Sequence, residues 1–291
     1  MTEARATAAP VLKWAGGKRQ IVKQILELLP TKISTYYEPF VGGGAVFFAL
    51  YNERRFERAV IGDKNPELVN VYQALKHDVS GVIRALKKLK ERHSEEHYYA
   101  VRGKIPSSDT ARAARVLYLN KTGFNGLYRV NRSGHFNVPF GRYDQPKIVN
   151  EPRLRAAADA LANVEIVNED FEVIAKDARA GDAVYFDPPY LPISATSAFT
   201  EYFADPFGID AHKRLAKAFD ALSRKGVAAV LSNSDTPVTR GLFEKHQLQI
   251  VSVRRAINSV ATRRGGVGEI LVTAQSMPPK RRTAAARRPL G

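Results

Sequence analysis

The stretch Tyr36–Tyr51, YYEPFVGGGAVFFALY, read together with Ala59–Leu68, AVIGDKNPEL, decides the fold. An aromatic run, three glycines at 42–44 and an apolar pattern at helical spacing predict strand, tight turn and helix. The next strand, Ala59–Gly62, ends on Asp63, and a helix follows Pro66. Glycines such as Gly42 and Gly44 at a strand-to-helix turn let a ligand approach the backbone closely. Asp63, 21 residues beyond Gly42, is a carboxylate at the tip of the second strand, where it can accept hydrogen bonds from both ribose hydroxyls of an adenosine-containing cofactor. In G-x-G-x-x-G the third glycine would fall at Phe47, which argues against a nicotinamide dinucleotide. The plain alternatives are a bare tight turn at the glycines and a helix cap at Asp63.

Working outward, apolar β-branched or aromatic runs recur at Thr35–Glu38, Ala59–Gly62, Val164–Asn168, Ala183–Phe186, Val227–Ser232, Leu248–Val253 and Glu269–Ala274. Helical spacing separates them, as in Ile21, Ile25 and Leu28, or Leu215, Phe219 and Leu222. Alternating strands and helices, with strands apolar throughout, predict an α/β fold whose mostly parallel sheet is covered on both faces. The last two strands are joined by an Arg/Gly-rich connection without an evident helix, so an antiparallel hairpin at the sheet edge is expected. No internal repeat of 20–50 residues is visible, which sets solenoids and propellers aside.

Charge is uneven along the chain. The 291 residues carry +16, and 15 Lys+Arg against 6 Asp+Glu fall between Lys76 and Ile148. Five more cations lie in the tail after Pro278, leaving the remainder nearly neutral. A neutral body with a basic block suits a phosphate backbone, although a solvated basic face is the bland reading. The block opens with Val82, Ile83, Leu86 and Leu89, continues through Ala111–Leu119 and ends in a Gly/Asn/Arg-rich loop, which reads as an insertion with its own small helical domain. The tail lacks apolar periodicity and is expected to be disordered. There is no cysteine, so a disulfide scaffold, a Cys-ligated zinc finger and a thiol nucleophile are excluded. No apolar run approaches a bilayer span and the N-terminus lacks a hydrophobic signal core, so a cytoplasmic protein is expected.

The chemistry concentrates in Asp182–Tyr190, DAVYFDPPY. The apolar strand delivers Asp187, Pro188, Pro189 and Tyr190 to the edge where open α/β sheets bind ligands. Proline fixes φ and donates no hydrogen bond, so the turn can aim the Asp187 carboxylate and the Pro188 carbonyl at one point. Two acceptors suit an exocyclic base amine, because accepting from both N–H groups localises its lone pair on nitrogen. Tyr190 can stack on the ring. An ordinary Pro-rich turn with a capping Asp is the alternative. Upstream, LKWAGGKRQ (Leu12–Gln20) sets Lys18 where it can orient a carboxylate and Trp14 where it can wall an aromatic pocket; no Walker A loop is present.

At these motifs the chain resembles the Dam-type, or D12 class, adenine-specific DNA methyltransferases. The ordered set LKWAGGK, EPFVGGG, GDKNPEL, YLNKTGFNGLYRVNRSGHFNVPFGRY, NEDF and DPPY carries the resemblance across about residues 11–275. It implies S-adenosyl-L-methionine as cofactor, with Trp14, Lys18, Asp63 and Asp187 at the family's cofactor positions, Phe40 near the same pocket, and Asp170 and Phe171 beside the adenine portion. It implies a seven-stranded Rossmann-like sheet with the target-recognition domain inserted after the second strand. The expected division is a discontinuous catalytic domain at 11–75 and 149–275, a recognition domain at 76–148 and a basic tail at 276–291. The family's DNA contacts map onto Phe124 as an aromatic wedge, Asn125 and Arg129 as phosphate and guanine contacts, Leu127 and Pro139 as apolar base contacts, and Arg142 as a backbone contact. The family usually has Tyr at the wedge, so Phe124 stacks without a hydroxyl. The implied target is adenine within GATC in double-stranded DNA, flipped out before chemistry.

Direct methyl transfer without an enzyme adduct is expected, with no metal. His93-Ser94-Glu95-Glu96-His97 fits H-x-x-E-H but lies in a charged helical stretch without an evident third ligand. Asn233 and Asp235 of LSNSD follow another strand end and are weaker pocket candidates. A monomer is expected, with a cognate restriction endonuclease as a candidate partner and association with the nucleoid only through DNA. Two rivals remain at this point: a DNA-binding module without catalysis, which leaves DPPY beside a cofactor loop unexplained, and the same chemistry on RNA or on the cytosine amine. The Asp of DPPY leans towards adenine, since many cytosine-amine enzymes have Ser there.

Overall fold

A computed structural model describes residues 6–190, 207–252 and 268–274. Seven strands, β1 (Ile33–Glu38), β2 (Phe56–Gly62), β3 (Val164–Val167), β4 (Ala183–Phe186), β5 (Ala228–Ser234), β6 (Gln247–Ser252) and β7 (Gly268–Thr273), form one sheet in the order β3-β2-β1-β4-β5-β7-β6. The first five are mutually parallel, and β7 runs antiparallel to both β5 and β6. The expected antiparallel pair is therefore present, with β6 as the outer strand.

The sheet is larger at two ends than apolar patterning predicts. β2 starts at Phe56 because Ile33 and Thr35 pair with Phe56 and Arg58 in the parallel ladder, although Glu57 and Arg58 are exposed. β5 continues through Asn233 and Ser234, which lie opposite Ile270 and Glu269. Backbone pairing holds these polar residues in the sheet where side-chain pattern alone ends the strand.

Alternate residues of each central strand enter different cores, as the period of two requires. On β4, Ala183 and Tyr185 join a cluster with Tyr36, Ile61 and Phe47, while Val184 and Phe186 join Tyr37, Phe171, Phe219 and Leu231 on the other face. Helices α1 (Val22–Leu28), α2 (Ala45–Asn52) and α6 (Glu151–Leu161) contribute to the first face. The second is covered by α7 (Phe171–Ala175) and α8 (Ile209–Arg224), whose Leu215, Phe219 and Leu222 are buried. A further short helix, α9 (Pro237–Leu242), precedes β6.

After β2, α3 (Pro66–Glu91) opens with Asn65 as its cap, whose side chain accepts from the Glu67 and Leu68 amides. The helix breaks at Asp78, at φ −148° and ψ 63°, and the Asp78 carboxylate accepts from the Gly81 amide at 2.8 Å. The aspartate thereby restarts the helix as a side-chain cap. The second half of α3, α4 (Glu95–Gly103) and α5 (Asp109–Thr122) lead to a 3₁₀ turn at Phe124–Gly126 and a loop closed by the bridges Gly123–Phe140 and Val130–Phe136. Val82, Ile83, Leu86 and Leu117 from this basic stretch belong to the same apolar cluster as Tyr36 and Phe47, so its helices share a core with the sheet. No helix among the described residues is long and apolar enough to cross a membrane. The Arg/Gly-rich connection before β7 and the basic tail lie outside the described residues.

Candidate active site

Strand order reverses between β1 and β4, the place where an open α/β sheet leaves a crevice at its carboxyl edge. A cavity of about 570 Å³ opens there, within the size range of small-molecule sites. Trp14, Lys18, Phe40, Gly42, Gly44, Asp63, Asp187, Pro188, Pro189 and Tyr190 all line it. Residues from four separated stretches of sequence therefore meet in one concavity.

The glycine turn is held from two sides. Gly42 and Gly44 have φ of 47° and 70°, left-handed values that favour glycine. Asp63 accepts from the Gly42 amide at 3.2 Å and from the Asn65 amide at 2.9 Å, while Tyr72 donates to the Gly42 carbonyl at 2.7 Å. Asn65 caps the helix, so Asp63 is left to brace the turn and face the cavity. Burial pushes the Asp63 carboxyl up from its ordinary value. A Cβ on Gly42 would lie 2.8 Å from Trp14 Cδ1. Gly42→Ala is expected to cost about 1–2 kcal/mol from backbone conformation alone, and to displace Trp14 besides. Chemical denaturation and cofactor titration check this; a variant matching the native protein in both contradicts it.

At the other wall, Lys18 Nζ sits 2.7 Å from Asp187 Oδ1 and donates to the Gly16 carbonyl at 2.6 Å. Ser232 Oγ donates to the same Oδ1 at 3.0 Å, and Tyr185 shares a hydrogen bond with Ser232 at 2.8 Å. Both contacts fall on Oδ1, so Oδ2 is the oxygen without a partner among the described residues. Burial raises the Asp187 carboxyl, with the Lys18 charge and the Lys18 and Ser232 hydrogen bonds pulling it back. Tyr190 donates to Glu269 Oε2 at 3.0 Å, and the Lys18 ammonium lies 4.6 Å from the centre of its ring. The corner is thus rigid: one carboxylate oxygen is anchored by a cation and a hydroxyl, and the adjacent ring is pinned at its tip.

Three contributors escape the motif reading. Ser232 and Glu269 act from β5 and β7, where strand alternation gives no functional signal. Glu38 lines the cavity, is 2% exposed and accepts from Tyr36 at 2.8 Å. A carboxylate ending an otherwise apolar strand is the signal that marks it. Desolvation, with a smaller push from Asp187, raises Glu38 to about 8 against an ordinary 4.5, so its proton is held more tightly in the folded state. The stability it lends is full below the ordinary carboxylate range and is lost as pH climbs towards about 8. Glu38→Gln is expected to raise the unfolding temperature relative to the native protein above that range and to have little effect in acid. A pH-independent difference contradicts the assignment.

Asp170 and Phe171 are not among the residues that line the cavity. Asp170 caps α7 through the Glu172 amide and pairs with Arg214 at 2.8 Å; Phe171 is buried and stacks under Phe40 at 5.6 Å. Asn168 of the same motif donates to the Asp63 carbonyl at 2.7 Å, joining this stretch to the second strand tip. Asn233 and Asp235 do not reach the cavity: Asn233 is fully buried and Asp235 pairs with Arg240 at 2.6 Å. His93 and His97 pack edge-on against Tyr118, with His93 Nδ1 2.9 Å from its hydroxyl.

The loop after α5 presents Phe124, Asn125, Arg129, Pro139 and Arg142 to solvent, with Leu127 half-buried. Phe124 is 50% exposed, a bare phenyl ring held at the surface. Asn125 and Arg142 hold left-handed φ of 54° and 48°. Arg129 donates from Nε to Asn137 Oδ1 at 2.7 Å and from Nη2 to the Asn137 carbonyl at 3.2 Å, which fixes the guanidinium across the loop. Trp14 meets Tyr128 of this loop at 5.2 Å, so the loop adjoins the cavity wall.

The D12 class N6 adenine-specific DNA methyltransferase family matches residues 14–257. The type II methyltransferase M1.LlaDCHI of Lactococcus lactis subsp. cremoris is 41% identical, covering 91% of this chain and 94% of its own. M.MjaIII of Methanocaldococcus jannaschii, also a type II methyltransferase, is 42% identical over 90% of this chain and 98% of its own. The DNA adenine methylase of Escherichia coli K12 is 38% identical over 89% and 93%. The protein is therefore a methyltransferase by class. It belongs to the D12 class of N6 adenine-specific DNA methyltransferases, a family that implies S-adenosylmethionine as methyl donor.

Proposed function

We propose that this chain methylates the exocyclic amine of adenine within GATC in duplex DNA, after the base leaves the stack and enters the Asp187 corner. The observation that carries the reading is the corner itself: an anchored carboxylate whose Oδ2 has no partner among the described residues, followed by Pro188, in the wall of a cavity shared with Trp14, Phe40, Asp63 and the glycine turn. The cavity fits an adenosine-bearing donor: the glycines admit a ligand to the backbone, Asp63 presents a carboxylate to a ribose, and Trp14 and Phe40 supply aromatic walls. When bound, S-adenosylmethionine supplies an electrophilic methyl group.

The protein's own part is alignment. Asp187 Oδ2 and the Pro188 carbonyl accept the two N–H groups of the amine, turning its lone pair towards the donor, and Tyr190 stacks on the base. The methylated nitrogen is acidic and loses a proton to solvent, with Asp187 able to relay it; no strong base and no covalent adduct are required. Residues 76–148 serve as the target-recognition domain, with Arg129 on guanine, Phe124 as the wedge, Leu127 and Pro139 against bases, and Asn125 and Arg142 on the backbone. The enzyme works as a monomer, and pairing with a cognate restriction endonuclease is consistent with the two type II relatives.

A duplex carrying 2-aminopurine at the target adenine tests the base-flipping step. Its fluorescence is expected to rise on mixing with the protein and to stay flat when GATC is scrambled. Equal fluorescence with both duplexes contradicts the reading. Titration with S-adenosylmethionine in the absence of DNA tests the donor site independently.

A further inference from the structure

We propose that Asn120 is a positioning residue that ties cofactor loading to target readout, so that cofactor and DNA each bind more tightly when the other is present. The inference rests on the functional reading above, with the donor in the cavity and DNA on the loop after α5. Asn120 lies in the last turn of α5 and is 3% exposed. Its Oδ1 accepts from the Lys13 amide at 2.8 Å, and its Nδ2 donates to the carbonyls of Lys13 and Gly126, both at 2.8 Å. One acceptor oxygen and two donor hydrogens are what a primary amide offers, and all are spent on two segments distant in sequence.

Those segments belong to different sites. Lys13 precedes Trp14, the aromatic wall of the cavity, in the loop that ends at Lys18 on Asp187. Gly126 closes the turn holding Phe124 and Asn125 and leads into Arg129. The segments touch again where the Trp14 and Tyr128 rings meet at 5.2 Å. Gly126 has φ +64°, and a Cβ there would lie 2.6 Å from Lys13 Cδ, so the Lys13 side chain packs directly on the Gly126 backbone in the space a side chain would take. A shift of Trp14 on cofactor entry therefore carries the recognition turn with it, or breaks a buried hydrogen bond. Coupling of this kind is reciprocal: what the cofactor does for DNA affinity, DNA does for cofactor affinity by the same factor.

The test is a calorimetric titration of S-adenosylhomocysteine, which has no methyl group to give, with and without saturating GATC duplex. Native protein, Asn120→Asp and Tyr128→Leu are compared. In the native protein the duplex is expected to tighten cofactor binding by at least about five-fold. Asn120→Asp keeps the acceptor and the shape but loses both donors. The enhancement is expected to fall below about two-fold, while affinity for each ligand alone changes less. Loss of a merely structural contact would weaken both ligands and leave the enhancement intact, and that result overturns the proposal. Should Asn120→Asp fail to fold, Tyr128→Leu decides: a reduced enhancement supports the linkage and an undiminished one overturns it. Native protein that binds both ligands independently also overturns it and leaves the functional reading standing. Native protein that binds neither ligand sinks that reading first.

Discussion

Asp187→Ala is expected to lower single-turnover methylation of a GATC duplex by at least about 100-fold, equivalent to about 2.7 kcal/mol of transition-state stabilisation. The size follows from what the substitution removes. Oδ1 is already engaged by Lys18 and Ser232, so the carboxylate reaches the reaction oriented and needs no rearrangement as charge develops on the amine. Alanine deletes Oδ2, which has no partner among the described residues, and also leaves the Lys18 ammonium, 5% exposed, without its counter-charge. Asp187→Asn separates these effects, because it keeps the volume but presents an amide in place of the carboxylate. Both variants are expected to unfold cooperatively and to bind the duplex. A folded variant with near-native turnover removes Asp187 from the chemistry.

Arg129→Ala is expected to relax discrimination at the guanine by about 1–3 kcal/mol, or roughly 5–150-fold in relative methylation of cognate and guanine-substituted duplexes. Asn137 fixes the guanidinium through Nε and Nη2, so the side chain meets the groove with its rotamer already chosen. Competition between the two duplexes measures the effect. A variant that loses affinity equally for both assigns Arg129 to phosphate rather than base contact.

Much of this was legible in the residues because it lies in short contiguous motifs. The glycines at 42–44, Asp63 at a strand tip and Asp187-Pro188-Pro189-Tyr190 after an apolar strand declare themselves by local spacing, and the sheet brings them together at one edge. The basic block from Lys76 to Ile148 is visible in the charge count, but its packing is not: Val82, Ile83 and Leu86 enter the same apolar cluster as the sheet face. What stays hidden is contributed across the fold. Ser232 reaches Asp187 from 45 positions away and Glu269 reaches Tyr190 from 79. Asn120 bridges to Lys13 across 107 positions. Each is an ordinary residue in a helix or strand, and only the topology gives it a partner. Asp170 and Phe171 illustrate the converse: the motif is evident, yet Phe171 packs against Phe40 and Asp170 pairs with Arg214, and neither lines the cavity.

The Asp187 corner is proposed to present an adenine amine to the methyl donor within GATC. Expression in a host lacking adenine methylation, followed by long-read mapping of modified bases, addresses this proposal most directly. N6-methyladenine is expected at GATC with native protein and is expected to be lost with Asp187→Ala. Methylation confined to cytosine, at adenines outside GATC, or absent with well-folded native protein would contradict it.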